Sequence, residues 1–117
     1  MTSDEMKRLA VVSDLLELAR PVEEIAAQLA AMEWDYEGDG VELARRHLSA
    51  VLRLYLEAAL LAKDVEVWAN LIETREDVCF EAGYEQQIEE VLYELANPTL
   101  TQPLDQGRAS TLLETLT

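Results

Sequence analysis

Apolar residues recur at helical spacing through almost the whole chain, and this periodicity constrains the fold more than any other feature. In the stretch YEQQIEEVLYELANP, the residues Ile88, Val91, Leu92 and Leu95 follow the i, i+3, i+4, i+7 pattern of an amphipathic helix. The 117 residues include only four glycines and three prolines, so few positions interrupt such helices. The pattern predicts an all-α fold, a single-domain compact bundle of five to six helices that spans residues 1–117.

The first half of the chain is expected to contain three helices. They cover Asp4 to Ala19, Pro21 to Met32, and a long central helix from Val41 to Lys63. Proline is tolerated in a first helical turn, so Pro21 marks a new start rather than a kink. The run EWDYEGDG lies between the second and third helices, and its two glycines predict a reversal of the chain there.

The second half is expected to contain three further helices. Asp64 caps the short fourth helix, VEVWANLIE, in which Trp68 faces the core. The segment TREDVCFEAG follows, and we expect a loop or half-turn because the run is too short to build a sheet by itself. The fifth helix is the stretch quoted above and stops at Asn97, and the sixth covers about Pro103 to Leu116.

The charge balance limits the classes of partner. The chain has 24 acidic against nine basic residues, a formal charge of -15. A protein that binds nucleic acids or anionic membranes needs a basic face, so we expect this chain to bind neither directly. We expect a basic protein partner instead. The N-terminal residues fit neither a signal peptide nor a membrane span, and one cysteine permits no internal disulfide, which favours a cytoplasmic location.

Catalytic and metal-binding patterns are weak. His47 and Cys79 would need a third group to act as a nucleophile pair. The sequence from Asp35 to Gly40 imitates the start of an EF-hand loop, but its twelfth position is Arg46 instead of glutamate. We therefore expect no enzyme activity, no metal and no cofactor.

Carboxylates on the fifth helix suggest a binding function. Glu85 lies one turn before Glu89, and Glu90 one turn before Glu94, and each like-charge pair costs roughly 0.2–0.5 kcal/mol. A basic partner, such as a nuclease with its phosphate-binding cleft, would remove this repulsion and associate faster through complementary charge.

Aromatic residues are mixed with acids in two runs, 33–42 and 76–94, neither of which contains a base. Rings among polar groups are typical anchors of protein interfaces. Trp34, Tyr36 and Tyr84 are equally compatible with an interface and with the core. The predicted contact residues are Asp35, Tyr36, Glu37, Asp39, Glu76, Asp77, Glu81, Tyr84, Glu85 and Glu89.

The second half of the chain, Glu66 to Leu116, resembles small acidic immunity proteins encoded beside bacterial toxins of the colicin-type and contact-dependent systems. The similar features are a short helix with tryptophan, the acidic linker Arg75 to Asp77, a glutamate-rich helix ending in ELANP, and a final leucine-rich helix. The resemblance implies a cytoplasmic inhibitor that binds one cognate toxin domain and has no activity of its own.

Two other functions fit a small acidic helical protein. A secretion chaperone or adaptor for an effector protein would expose a continuous apolar groove and is commonly dimeric. A nucleic-acid-mimicking inhibitor of phage origin would space its acids on one face as backbone phosphates are spaced.

Overall fold

A computed structural model describes residues 3–31 and 40–116, and within these ranges it contains six helices and two short strands. The elements in chain order are α1 (Ser3–Glu17), α2 (Val22–Ala30), β1 (Val41–Leu43), α3 (Arg45–Leu56), α4 (Ala62–Glu73), β2 (Val78–Phe80), α5 (Glu85–Ala96) and α6 (Gln106–Leu116). The prediction of a compact all-α bundle is confirmed.

The core forms where the apolar stripes of the helices meet. Helix α1 packs on α2, α3 on α6, and α4 on α5. Trp68 is fully buried, as predicted, and its indole Nε1 donates a hydrogen bond of 2.7 Å to the backbone oxygen of Leu15. This bond satisfies the polar atom of the ring and joins α4 to α1. The other fully buried side chains with large volumes are Leu15, Leu16, Ile25, Leu43, Leu48, Leu52, Ile72, Ile88, Leu92, Val12 and Val51.

The predicted long helix from Val41 to Lys63 is wrong, because the chain forms β1, α3 and the start of α4 over that range. Helix α3 ends at Leu56 and is followed by its C-cap Glu57 and by Ala58, whose φ of 63° lies in the left-handed region. The N–H of Ala58 donates to the oxygen of Tyr55 at 3.0 Å, and the N–H of Ala59 to that of Leu54 at 2.9 Å. These two bonds form a Schellman motif, which satisfies the last carbonyls of the helix and stops it.

Helix α4 begins with part of a capping box rather than with Asp64 as its cap. The Asp64 side chain lies inside the first turn, where its Oδ2 accepts the N–H of Leu61 at 2.8 Å. An acid at this position satisfies a free donor and complements the positive end of the helix dipole.

The segment TREDVCFEAG is also corrected, because it contains β2, which pairs in parallel with β1. Val41 is opposite Val78 and Leu43 is opposite Phe80, so the partner strand lies far away in the sequence. Gly40 permits the close approach, since a Cβ atom there would lie 2.8 Å from the backbone carbon and oxygen of Asp77. The pairing of β2 with β1 fixes the position of the segment that connects α4 to α5.

The last two helices lie close to their predicted positions. Helix α5 ends at Asn97, whose Nδ2 donates to the oxygen of Tyr93 at 2.9 Å. Helix α6 begins at Gln106, three residues after the predicted start, because Asp105 Oδ1 accepts the N–H of Arg108 at 2.7 Å as an N-cap.

Candidate protein-binding groove

Most of the cations are paired with acids of the same molecule. All nine lysine and arginine residues lie within the described ranges, so their partners show where the surplus negative charge is left. The residues in ion pairs are Arg8, Arg20, Arg45, Arg46, Lys63, Arg75 and Arg108.

Asp77 lies at the centre of a buried ion-pair cluster. Arg75 donates from Nε and Nη2 to its two carboxylate oxygens at 2.7 and 2.8 Å, and Arg8 Nε lies 3.5 Å from Oδ2. The Asp77 side chain is only 2% exposed. This carboxylate therefore presents almost no surface to a partner, unlike the exposed position expected of a contact residue, and it holds the start of β2 against α1.

Glu81 is also engaged within the molecule. Its Oε1 accepts the backbone N–H and the side-chain Nε–H of Arg45, both at 3.1 Å. The Arg45 side chain, followed by its backbone N–H, holds the pKa of Glu81 below its ordinary value. The same guanidinium lies 3.4 Å from the ring centroid of Tyr84, a cation–π contact. The group of Glu81, Arg45 and Tyr84 therefore fastens the end of β2 to the start of α3.

His47 and Glu17 form a third internal contact. The Nδ1 atom of His47 accepts the N–H of Ala44 at 2.8 Å, so the proton of the neutral ring resides on Nε2, which lies 2.9 Å from Glu17 Oε1. Arg46, and then His47, hold the pKa of Glu17 below its ordinary value. Because both ring nitrogens are occupied, the imidazole is not poised to activate the exposed Cys79.

The glutamates on α5 differ in their contacts with the rest of the molecule. Glu94 accepts bonds of 2.7 and 2.6 Å from Nε and Nη2 of Arg108, and its side chain is 14% exposed. Glu90 accepts an N–H of Gln86 at 3.1 Å. The repulsion expected between Glu90 and Glu94 is thus offset by Arg108, whereas Glu85 and Glu89 remain exposed one turn apart.

An open groove of about 740 Å³ lies between the end of α4, β2 and α5. Its acids are Glu73, Glu89 and Glu90, and we call it the acidic groove. The remaining lining residues are Phe80, Gln86, Leu92 and Tyr93. Among residues 3–31 and 40–116, no lysine or arginine forms an ion pair with any of these three acids.

Apolar surface accompanies these carboxylates. Tyr93 is 47% exposed and Phe80 is half-buried, and both line the groove. A partner could therefore bury aromatic area, which is enriched at energetically important interface positions, and neutralise carboxylates at the same place.

The predicted contact residues have different locations. Glu76, Tyr84, Glu85 and Glu89 lie on the surface, and of these Glu89 lines the acidic groove. Asp77 is buried and Glu81 is paired with Arg45. The remaining four, Asp35, Tyr36, Glu37 and Asp39, lie outside the described residues, as does Trp34.

Sequence reasoning placed only Glu89 of the seven groove residues among the contacts and missed the other six, which are Glu73, Phe80, Gln86, Glu90, Leu92 and Tyr93. Glu90 belongs to the row of glutamates on α5, and Tyr93 belongs to the run 76–94, in which aromatic residues are mixed with acids. Glu73 and Phe80 gave no sequence signal, because only the packing of α4 and β2 beside α5 brings them to the same surface.

Residues 3–31 and 40–116 contain neither a metal-binding cluster nor a membrane-spanning helix. No group of three or more His, Cys, Asp or Glu side chains there has the arrangement of a metal site. None of the helices in those ranges combines the length and hydropathy needed to cross a bilayer.

In comparisons with protein-family models, curated protein sequences and solved structures, nothing matched this chain. The relation to immunity proteins therefore stays a prediction.

Proposed function

We propose that this chain is a binding protein that neutralises a basic, nuclease-like bacterial toxin through tight protein–protein association. The acidic groove on α4, β2 and α5 would be the contact surface. The proposal assigns the chain no catalytic activity, and inhibition would result from covering the toxin's active site or a surface beside it. The toxin's lysine and arginine side chains would meet Glu73, Glu89 and Glu90, while Tyr93 would pack against apolar atoms.

The observation that supports the proposal best is the separation of paired from unpaired acids. Arginines neutralise Asp77, Glu81, Glu17 and Glu94 within the molecule. In the part of the chain that the structure describes, none pairs with the carboxylates around the groove. Like charges on one helix lower its stability, so a chain that keeps them is expected to gain a benefit elsewhere. Attraction of a cationic protein is such a benefit. Exposed aromatic area in the same groove favours a protein partner over a simple role in solubility.

The test requires a toxin-domain gene beside the gene for this chain and uses the domain that such a gene encodes. Cells that produce the toxin domain should grow when the wild-type chain is co-produced, and calorimetry should detect a complex of the two purified proteins. Glu89→Lys combined with Glu90→Lys should abolish growth protection and weaken binding by at least about tenfold, since each reversal replaces attraction by repulsion.

A matched control reverses two acids elsewhere. Glu23 and Glu57 are exposed and have no ion-pair partner in the described part of the chain. Glu23→Lys with Glu57→Lys changes the net charge equally and should leave protection intact. Equal loss in both double variants would show that total charge matters and the acidic groove does not, which would contradict the proposal.

A further inference from the structure

The strand β2 has a second edge that faces away from β1. In a parallel pair, the N–H and C=O groups of alternate residues point to opposite sides of a strand. The N–H of Val41 donates to the oxygen of Asp77 at 2.8 Å, and the N–H of Glu81 donates to that of Leu43 at 3.0 Å. With Val41 opposite Val78 and Leu43 opposite Phe80, the backbone groups of Val78 and Phe80 must point away from β1.

The outward groups of Val78 and Phe80 have no backbone partner among the described residues. Parallel strands usually belong to larger sheets that are covered on both faces, so a pair that ends here is unusual. An open edge of this kind is a template for another extended chain.

The open edge borders the acidic groove. The Phe80 side chain forms part of the groove wall together with Glu89 and Glu90 of α5 and Glu73 of α4. Val78 and Phe80 share one face of β2, and Cys79 lies on the other face and is exposed. A strand added beside β2 would therefore direct every second side chain towards the carboxylates of the groove.

We propose that β2 pairs along this edge with an extended, basic segment of the partner protein, which becomes the third strand of the sheet. The inference rests on the proposed function, because it gives the binding mode of the same groove. Main-chain hydrogen bonds to Val78 and Phe80 provide affinity for an extended segment, and alternate lysine or arginine side chains facing Glu73, Glu89 and Glu90 provide selectivity.

The charge argues for this occupant against a second copy of the chain. Each copy has a formal charge of -15, and pairing two β2 edges would bring the acidic grooves of both copies together. A basic segment turns that repulsion into attraction.

The experiment uses the full chain and a synthetic peptide of about eight residues that alternates lysine and valine, a length within the range of ordinary strands. Backbone amide hydrogen exchange and binding are measured by NMR titration. The control peptide has the same side chains and charge but a methyl group on every backbone nitrogen, which removes all its donors. We expect the first peptide to slow exchange at Val78 and Phe80 by at least about tenfold and the methylated peptide to bind at least about tenfold more weakly.

Two protein variants separate backbone from side chain. Phe80→Pro removes the outward N–H, whereas Phe80→Ala shortens the side chain and keeps that donor. Peptide binding should be weaker in Phe80→Pro than in Phe80→Ala by about tenfold, with melting curves checking that both variants fold. The exchange experiment on the wild-type chain decides the matter if Phe80→Pro does not fold.

The outcomes distinguish this inference from the proposed function. If both peptides bind equally and perturb only Glu89 and Glu90, edge pairing is overturned while the acidic groove stands. If neither peptide binds, edge pairing is overturned and attraction of basic segments is contradicted as well. A doubling of molecular mass with protection at Val78 and Phe80 in the absence of peptide would show pairing of two copies and overturn the assigned occupant.

Discussion

The acids at the junction of α1, α3 and β2 are neutralised by arginines, whereas those around the acidic groove face solvent. At the junction, Arg75 and Arg8 meet Asp77, and Arg45 meets Glu81. Around the groove, Glu89 and Glu90 have no such partner among the described residues. A buried carboxylate requires a cation because desolvation is costly, and an exposed one does not. The net charge of the chain therefore says less about binding than the distribution of ion pairs does.

The largest expected effect comes from breaking the buried pairing at the junction. Asp77→Asn keeps the shape of the side chain but leaves Arg75 and Arg8 without their carboxylate, so the free energy of unfolding should fall by about 3–5 kcal/mol. Urea denaturation measures it. Glu76→Gln is the matched control, because Glu76 is adjacent to Asp77 in the sequence and its carboxylate is exposed. It should change the free energy of unfolding by no more than about 0.5 kcal/mol. Equal effects of the two variants would remove the distinction between the regions.

A smaller effect is expected where the two kinds of acid lie on one helix. Glu94→Gln loses the two-bond contact with Arg108 and should destabilise the chain by about 1 kcal/mol, a value reduced because Arg108 is 29% exposed. Glu89→Gln relieves repulsion from Glu85 and should stabilise it by about 0.2–0.5 kcal/mol. Thermal or urea unfolding should show changes in stability of opposite sign for these two variants. Destabilisation by Glu89→Gln would instead mean that Glu89 has an internal role.

The smallest effect concerns acid pH. The pKa values of Glu17 and Glu81 are lowered in the folded state by hydrogen bonds from Arg46 and Arg45, respectively. Their contribution to stability is therefore complete above the ordinary value of 4.5 and is lost as the pH falls through the lower folded-state values. The melting temperature of Glu17→Gln with Glu81→Gln should depend less on pH in this range than that of the wild type. An unchanged slope in this double variant would contradict the assignment.

The helices were predictable from the sequence because their signal is local. The stripe of Ile88, Val91, Leu92 and Leu95 is buried in α5, and Asn97 ends that helix. The end of α3 was not predictable in the same way. Its left-handed residue is Ala58 instead of the usual glycine, and the apolar pattern continues through the break.

The strands and the site were harder to predict from the sequence, because they depend on contacts between distant parts of the chain. Strands of three residues give no periodic signal, and β1 approaches β2 where Gly40 leaves room beside the backbone of Asp77. Glu89 was recognised as a surface acid from its helix position. The internal ion pairs of Glu81 and Asp77 were not predictable, because the sequence does not reveal which acid meets Arg45 or Arg75.

The central claim is that the acidic groove attracts a basic partner. It is tested most directly by the rate of association with a toxin domain from a gene beside that of this chain, measured at about 0.1 M and about 1 M salt. Between these concentrations the Debye length falls from about 10 to about 3 Å. The wild type and the control with Glu23→Lys and Glu57→Lys should associate at least about tenfold faster at the lower salt concentration. The variant with Glu89→Lys and Glu90→Lys should associate slowly at both. Equal rates and equal salt dependence in all three proteins would contradict the account.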